Sequence, residues 1–369
     1  MKAGILNVQW ISNYGAVLLA YAMQKYLDRL GIENEIIDFR PRQPDEYGEI
    51  ASAHADEKTT PHAQTAAFER FRRRFLRRSP TLIGTGDAGR LSYDAYIVGS
   101  DTVWTPLKLH DVEAEMFYLE FARGKNALKM SWAASIGADE PAILEEIRPI
   151  LAERLKNFDA ISVRERETVP FVQSLTGKKV AHVMDPVLML DREAYEEILP
   201  GVTVPGEKYI YAFLFNDLPG ALETVNELSE RTGLPVVADV KSAGRVNNLR
   251  INCDNDGPAE FTERILNAEY VITDSYHAAI FSILGKRPFV CYTREGSSIR
   301  ARNLLEDLGL SEHFLPGERP GIDLLLKDID YDAVFEKREL WRGRSEAFLK
   351  DTLGIRTMKK ASFPQKGMG

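Results

Sequence analysis

The sequence predicts an α/β fold built from parallel sheets and divided into two domains. Short apolar runs of strand length alternate along the chain with helical patterns, which is the order of elements in parallel sheets. Polar residues follow directly after several of these runs. The chain has 369 residues, and at roughly 150 residues per domain this length indicates two domains.

The first strand–helix–strand unit lies at the N-terminus. Residues 4–8 are an apolar run and residues 9–15 are a polar loop. Residues 19–30 then carry apolar side chains three or four positions apart, as on one face of a helix. Gly31 ends that pattern, and residues 35–39 are again strand-like. Strands joined in this way are parallel, with a right-handed crossover.

Three later strands each end in polar side chains. The strands and the residues that follow them are 94–98 with Ser100 and Asp101, 159–163 with Arg164, and 269–273 with Asp274, Ser275 and His277. Open parallel sheets bind their ligands at the carboxyl ends of the strands. These residues are therefore candidates for one site.

Proline and glycine residues mark a predicted domain boundary near residues 191–206. We expect an N-terminal α/β domain over residues 1–195 and a C-terminal α/β domain over residues 196–334 that carries His277. A C-terminal helix and a basic tail follow over residues 335–369, and this helix can pack on either domain.

The composition argues against several classes of protein. A net charge of −8 and a pI near 5.5 are unlike those of a general nucleic-acid binder. Cys253 and Cys291 form no metal-ligand pattern and no disulfide framework, which fits a reducing cytoplasm. The N-terminus has no apolar signal region, and no stretch approaches the roughly 18 apolar residues of a membrane span.

His277 has the best chemical position of the six histidines. It falls between a buried strand and an apolar helix, where a helix N-terminus can face a ligand. A histidine beside apolar residues can equally be a packing residue, so its position alone leaves both interpretations open.

Asn13, Tyr14 and Gly15 lie between the first strand and the first helix. Gly15 allows close approach of a ligand to the backbone, and the free N–H groups at a helix start favour an anion. Capping by Asn13 and a turn at Gly15 explain the same residues more simply.

Asp101 and Trp104 follow a predicted strand. Asp101 can orient a sugar hydroxyl or act as a base, and Trp104 can stack on a sugar ring. The alternative is a capping aspartate and a packing tryptophan.

Two arginines are candidates for binding a phosphate or a carboxylate. The guanidinium of Arg164 can bind either group with two parallel hydrogen bonds, although a salt bridge to Glu165 or Glu167 is the alternative. Arg300 follows Ser297 and Ser298 at a predicted helix start, which is either a phosphate site or an ordinary capped helix.

Two further segments have simple interpretations. Residues 84–89 match G-x-G-x-x-G, but a strand follows instead of a helix, so we reject a dinucleotide loop. Residues 68–78 form a predicted helix with six arginines, which is either a solvated basic face or a surface for anionic lipid or a phosphorylated acceptor. The basic tail residues Arg356, Lys359, Lys360 and Lys366 can add to such a surface.

Taken together and in this order, these segments resemble the polysaccharide pyruvyl transferase family. The matching segments are Asn13–Ala16 with the helix that follows, Tyr93–Asp101 with Trp104, Ser131–Gly137, Ser162–Glu165, Met184–Val187, Val271–Ile280 and the helix over 300–310. The resemblance implies two Rossmann-like domains that face a cleft, as in the GT-B glycosyltransferases, with the acceptor on the N-terminal side.

The resemblance also implies a reaction. A pyruvyl group moves from phosphoenolpyruvate to two hydroxyls of a sugar in a glycan or lipid-linked precursor, which forms a ketal and releases phosphate. The donor needs cations, its C3 methylene gains a proton, and a hydroxyl loses one. A histidine can serve in such proton transfers.

We accordingly assign roles to the candidate residues. His277 and Asp101 are expected to be catalytic. The expected substrate-binding residues are Asn13, Tyr14, Gly15, Ser100, Trp104, Arg164, Asp274, Ser275 and Arg300. No metal or other cofactor is expected, and the expected location is the cytoplasm, with peripheral contact at the inner membrane face as an additional hypothesis.

The chain departs from some family members at Ser275, where they carry an arginine thought to hold the donor. The donor cation must then come from elsewhere, with Arg164 first, Arg300 second, and Arg294 and Lys286 behind them. This departure leaves two alternative functions: a glycosyltransferase that uses a nucleotide sugar on the same fold, and a non-catalytic glycan-binding relative.

Overall fold

The computed structural model describes residues 1–40, 61–83, 85–105, 112–138, 140–201, 208–293 and 299–355. No helix within these ranges is long and apolar enough to cross a membrane. Several predictions fall on residues outside these ranges, namely Gly84, Arg294, Ser297, Ser298 and the basic tail residues Arg356, Lys359, Lys360 and Lys366.

The N-terminal sheet has six parallel strands. In chain order, the first eight strands are β1 (Lys2–Leu6), β2 (Glu33–Ile36), β3 (Phe39–Arg40), β4 (Leu82–Ile83), β5 (Ala95–Asp101), β6 (Leu128–Ala134), β7 (Ile161–Val163) and β8 (Val180–His182). The order in the sheet is β2-β1-β5-β6-β7-β8, while β3 and β4 form a separate parallel pair. Side chains of this sheet are buried on both faces, as expected when helices cover both.

Helices alternate with these strands along the N-terminal half of the chain. They are α1 (Tyr14–Arg29), α2 (Pro61–Phe75), α3 (Pro141–Arg154), α4 (Val169–Thr176) and the single turns α5 (Pro186–Met189) and α6 (Glu193–Glu196). Helix α1 is buried along most of its length, and its apolar side chains belong to a core that includes residues of both sheets. This helix therefore lies at the centre of the molecule.

The C-terminal sheet repeats the arrangement. Its strands are β9 (Ile210–Leu214), β10 (Val236–Val240), β11 (Leu249–Asn252), β12 (Tyr270–Thr273), β13 (Phe289–Tyr292) and β14 (Phe314–Leu315). They are all parallel, in the order β11-β10-β9-β12-β13-β14. The remaining helices are α7 (Pro219–Thr232), α8 (Pro258–Asn267), α9 (Tyr276–Leu284), α10 (Ile299–Leu308), α11 (Ile322–Leu325) and α12 (Tyr331–Thr352). The predicted α/β class with two Rossmann-like sheets is confirmed.

Each sheet has a point at which the strand order reverses. Strand β1 lies between β2 and β5, and β9 lies between β10 and β12. A crevice opens beyond the carboxyl end of the strands at such a point, and ligands of this fold class bind there. The β1–α1 loop and the β12–α9 loop lead from these edges to Gly15 and His277, which lie in the first turns of α1 and α9.

The C-terminal helix α12 joins the two halves. It packs against α10, and its buried Arg338 donates to the carbonyls of Leu188 (2.9 Å) and Leu190 (2.6 Å) beyond β8. Arg338 also forms an ion pair with Asp191 at 3.0 Å. The sequence left the packing partner of this helix open, and the structure shows that it contacts both domains.

The arginine-rich helix α2 turns part of its charge inward. Arg72 is buried and donates to three consecutive carbonyls of the β1–α1 loop, those of Gln9 (2.6 Å), Trp10 (3.0 Å) and Ile11 (2.6 Å). Arg78 is bound to Glu69 at 3.1 Å. Arg70, Arg73 and Arg74 of the helix remain exposed, as does Arg77 just beyond its end. One side of this helix therefore supports a cleft loop and the other is exposed and basic, and its contact with anionic lipid or a phosphorylated acceptor stays a prediction.

Candidate active site

His277 lies at the start of α9, just beyond the end of β12. Ser275 caps this helix, with its Oγ accepting from the N–H of Ala278 at 3.4 Å. The His277 side chain is buried, and its ring lies directly against the first turn of α1. A methyl group added at Gly15 would lie 2.0 Å from Nδ1 of His277. The C-terminal domain thus inserts its histidine into the helix start of the N-terminal domain, at a position where only glycine leaves room.

The carboxylate of Asp185 joins the groups from the two domains. It lies beyond β8, is fully buried, and caps α5 by accepting from the N–H of Val187 at 2.9 Å. Its Oδ2 accepts from Arg164 Nη1 at 2.9 Å and from Ser100 Oγ at 3.4 Å, and it lies 3.9 Å from Nε2 of His277. An aspartate directly before a proline commonly starts a turn, so the sequence Asp185-Pro186 indicated only a structural role for Asp185. Its position after another strand of the same sheet was the information that could have found it.

Arg164 is held on several sides in the buried interior. Its Nε donates to Glu165 Oε1 at 3.0 Å, and its guanidinium lies 4.5 Å from the ring centre of Tyr276. The salt bridge expected as the alternative therefore exists, with Glu165. It does not use the whole guanidinium, because Nη2 is buried and has no hydrogen-bond partner among the described residues.

Asp101 ends β5 in a left-handed conformation, with φ of 72°. Its Oδ1 accepts from the N–H of Thr102 at 2.9 Å and pairs with Arg300 Nη1 of the other domain at 3.3 Å. Burial alone raises the pKa of Asp101, but the charges of Arg300 and Arg164, together with the N–H of Thr102, outweigh it and lower the pKa to about 2. The carboxylate is therefore ionised at neutral pH, which makes it a weak base and a strong partner for cations.

Burial lowers the pKa of His277 below its ordinary value of 6.5. Asp185 and Asp101 raise it, while Arg164 and Arg300 lower it further, and the net direction is downward. The imidazole is therefore neutral at pH 7 and can accept a proton. Its Nε2 is buried and has no hydrogen-bond partner in the described part of the chain.

Two of the expected substrate-binding residues point elsewhere. Trp104 is fully buried, donates from Nε1 to the carbonyl of Phe117 at 3.2 Å, and packs on Phe158. Tyr14 stacks on Phe261 with ring centres 4.4 Å apart, and its hydroxyl donates to Asp239 Oδ2 at 3.2 Å. Trp104 is therefore a packing residue, as in the alternative interpretation. Tyr14 joins the two domains beside the cleft.

Three other expected residues shape the backbone around the cleft. Asn13 caps α1 through its Oδ1, which accepts from the N–H of Ala16 at 3.1 Å. Asp274 accepts from the N–H groups of Phe215 (2.8 Å) and Asn216 (3.1 Å), so it fixes the loop after β9. Ser275 has its hydroxyl in the cap of α9, and no cation stands at that position.

The cations proposed to replace the missing arginine occupy different places. Arg164 lies at the centre of the cluster, and Arg300 lies at its edge on Asp101. Lys286 lies past the far end of α9, 5.0 Å from the ring centre of Phe335. No group of three or more metal-ligating residues occurs within the described ranges.

A separate cavity lies between α1 and α12, away from His277. Its volume is about 420 Å³, and its charged lining includes Arg29, Asp191, Arg342, Glu346 and Lys350. All three cations pair with the acidic residues in the same lining. The cavity therefore offers no strong site for an anionic ligand.

A polysaccharide pyruvyl transferase family model matches residues 13–296, which is most of the chain. Among solved structures, the chain is similar to a UDP-N-acetylglucosamine 2-epimerase described as putative from Listeria monocytogenes, with TM-score 0.54 and 11% identity over 97% of this chain and 98% of that one.

Two further solved structures have a similar likeness to the chain. The S. aureus MnaA–UDP complex has TM-score 0.53 and 12% identity over 98% of this chain and 99% of the other. The Neisseria meningitidis UDP-GlcNAc 2-epimerase has TM-score 0.51 and 10% identity over 96% of this chain and 100% of that one. At such identities these likenesses show a shared GT-B fold and nothing more. No curated protein sequence matches the chain.

Proposed function

The chain belongs to the polysaccharide pyruvyl transferase family and is a transferase, and from this premise we propose that it moves the pyruvyl group of phosphoenolpyruvate onto two hydroxyls of a sugar. The acceptor is a cell-surface polysaccharide precursor, either a glycan or a lipid-linked sugar. The reaction forms a ketal and releases phosphate.

One observation carries this proposal. His277 Nε2 and Arg164 Nη2 are buried without a hydrogen-bond partner among the described residues, and both side chains meet the same carboxylate, that of Asp185. Buried polar atoms are rarely left without partners, so such atoms at strand ends indicate a ligand site. One atom belongs to a cation, which the anionic donor needs, and the other belongs to a neutral imidazole, which can take a proton from the acceptor hydroxyl.

The proposed steps use these groups in order. Arg164 binds an anionic oxygen of the donor. Neutral His277 takes the proton of the first attacking hydroxyl as its oxygen bonds to C2 of phosphoenolpyruvate. The π electrons of the C2=C3 bond take up a proton at C3, which becomes a methyl group, and the net source of this proton is the first hydroxyl, because His277 returns to its neutral form. A second hydroxyl then bonds to C2 and gives its proton to the departing phosphate, while the bond from C2 to the phosphate oxygen breaks. Phosphate leaves with the electron pair of that bond.

The carboxylates complete the electrostatics of this scheme. The ion pair between Asp185 and Arg164 keeps the guanidinium in place, and Asp185 also lies close enough to stabilise the imidazolium that forms on His277. Asp101, ionised and in the same cluster, favours the positive charge that develops at C2.

The test incubates the protein with phosphoenolpyruvate and a panel of p-nitrophenyl glycosides, and follows phosphate release and product mass. We expect phosphate and a pyruvyl ketal in equal amounts. His277→Ala should reduce the rate by about 100- to 10,000-fold, the usual effect of removing an acid or base. His313→Asn is the matched control, because His313 is also buried but contacts the carbonyl of Phe289 far along the chain.

Two results would contradict the proposal. Phosphate release that persists in His277→Ala would remove the catalytic role of the histidine. Turnover of a nucleotide sugar, with none of phosphoenolpyruvate, would identify a glycosyltransferase instead.

A further inference from the structure

A buried serine beside Arg164 has no role in the mechanism above. Ser135 follows β6 immediately, and its side chain is completely buried. Its Oγ has no hydrogen-bond partner in the described ranges of the chain. Buried hydroxyls are normally bonded, and leaving one without a partner costs stability, so an orphan of this kind calls for an explanation.

The register of the sheet places Ser135 next to Arg164. Strands β6 and β7 are parallel, and Ala134 pairs with Val163. Ser135 and Arg164 directly follow this pair, and the N–H of Arg164 donates to the carbonyl of Ala134 at 3.1 Å. The parallel pairing therefore continues by one residue, and the two backbones lie roughly 4.8 Å apart, the spacing of neighbouring strands. Residues paired in this way also project their side chains to the same face of the sheet.

The backbone of Ser135 is fixed on both sides. Its N–H donates to the carbonyl of Asp101 at 3.0 Å, and its carbonyl accepts from the N–H of Trp104 at 3.1 Å. These bonds tie the serine to the turn that presents Asp101 to the cleft. The hydroxyl is therefore held in place although it bonds to nothing among the described residues.

We infer that Ser135 is a donor-binding residue, whose hydroxyl donates to the same anionic group that Arg164 binds. The inference rests on the proposed function, because the ligand is the phosphate or carboxylate of phosphoenolpyruvate. A guanidinium and a hydroxyl together form a common site for such oxygens. This pair would also supply part of the donor recognition attributed to an arginine at position 275 in some relatives.

The experiment measures binding by calorimetry with phosphoenolpyruvate, inorganic phosphate and pyruvate, using the wild-type protein and Ser135→Ala. Loss of a hydrogen bond to a charged group should weaken phosphoenolpyruvate binding by about 10- to 150-fold. The weaker binding of either phosphate or pyruvate then shows which end of the donor the hydroxyl contacts. Ser135→Cys is a second variant that keeps the side-chain volume roughly unchanged, and it is measured in case Ser135→Ala fails to fold.

Ser131→Ala is the matched control on the same strand. The Ser131 hydroxyl is fully engaged, because it donates to the carbonyl of Ser162 and accepts from its N–H, both at 2.9 Å. We expect this control to lower the melting temperature and to keep donor affinity. Ser135→Ala should weaken donor binding and should not lower the melting temperature, since it removes a hydroxyl that has no partner in the unliganded protein.

The outcomes separate the two proposals. If the wild-type protein does not bind phosphoenolpyruvate, the proposed function and this inference both fail. If the wild-type protein binds it and Ser135→Ala binds it equally well, only the inference fails, and the hydroxyl serves an ordered water or nothing.

Discussion

Replacing Gly15 with alanine tests the contact between the two domains at the centre of the site. The added methyl carbon would lie 2.0 Å from Nδ1 of His277, whereas an ordinary contact between such atoms is roughly 3.5 Å. The ring or the helix that carries it must therefore move by roughly 1.5 Å, the difference between these distances. His277 is buried, so the ring has no open space to enter.

This substitution should have both a kinetic and a thermodynamic effect. A displacement of 1 Å at a reacting group costs about 100-fold in rate, so we expect at least that loss in kcat/KM. Overpacking costs roughly 1–3 kcal/mol of stability. Alanine is better than glycine in a helix by up to about 1 kcal/mol, so the net loss should be smaller than the overpacking cost.

The assay compares phosphate release and urea unfolding of Gly15→Ala with those of Gly244→Ala. Nothing lies within 4 Å of a methyl group at Gly244, which makes it the matched control. Wild-type activity in Gly15→Ala would show that His277 does not need its observed position against α1.

Two further predictions concern the proton transfer and the cleft loop. Burial lowers the pKa of His277 below 6.5, and the neutral form of the imidazole is the base. The value of kcat/KM should therefore rise with pH through an inflection below pH 6.5 and be level at pH 7. An inflection above pH 7 would contradict the assignment of His277 as the base. Arg72→Met removes the donor to the carbonyls of residues 9, 10 and 11, and should lower the free energy of unfolding in urea by at least about 2 kcal/mol. Exposed Arg73→Met should change it by no more than about 0.5 kcal/mol, and equal effects of the two would show that Arg72 is not a scaffold residue.

The sequence predicted the fold because strand and helix patterns depend on local side-chain periodicity. The alternation of short apolar runs with amphipathic segments was enough to predict parallel sheets and the edges at which ligands bind. It also placed Asp101, Arg164 and His277 at strand ends, and these three side chains lie in one cluster in the structure. Their shared position follows from topology, which the order of elements largely determines.

The direction in which a side chain points, and its contacts with residues that are distant in the sequence, could not be predicted in this way. An indole that follows a strand end has the same local sequence whether it faces a cleft or a core, and Trp104 faces the core. Position 15 requires glycine because of the imidazole ring of His277, which is more than 250 residues away in the sequence. Asp185 was assigned to a turn because the proline after it explained it locally, while its bonds to Arg164 and Ser100 required the folded sheet.

A crystal structure of the protein with phosphoenolpyruvate bound would show directly whether Arg164 and His277 form the donor site. We expect an anionic oxygen of the donor within about 3 Å of Arg164 Nη2, the usual hydrogen-bond distance, and His277 Nε2 facing the reacting carbons or the attacking hydroxyl. Phosphoenolpyruvate bound away from Arg164, with Nη2 still unoccupied, would show that the donor site lies elsewhere.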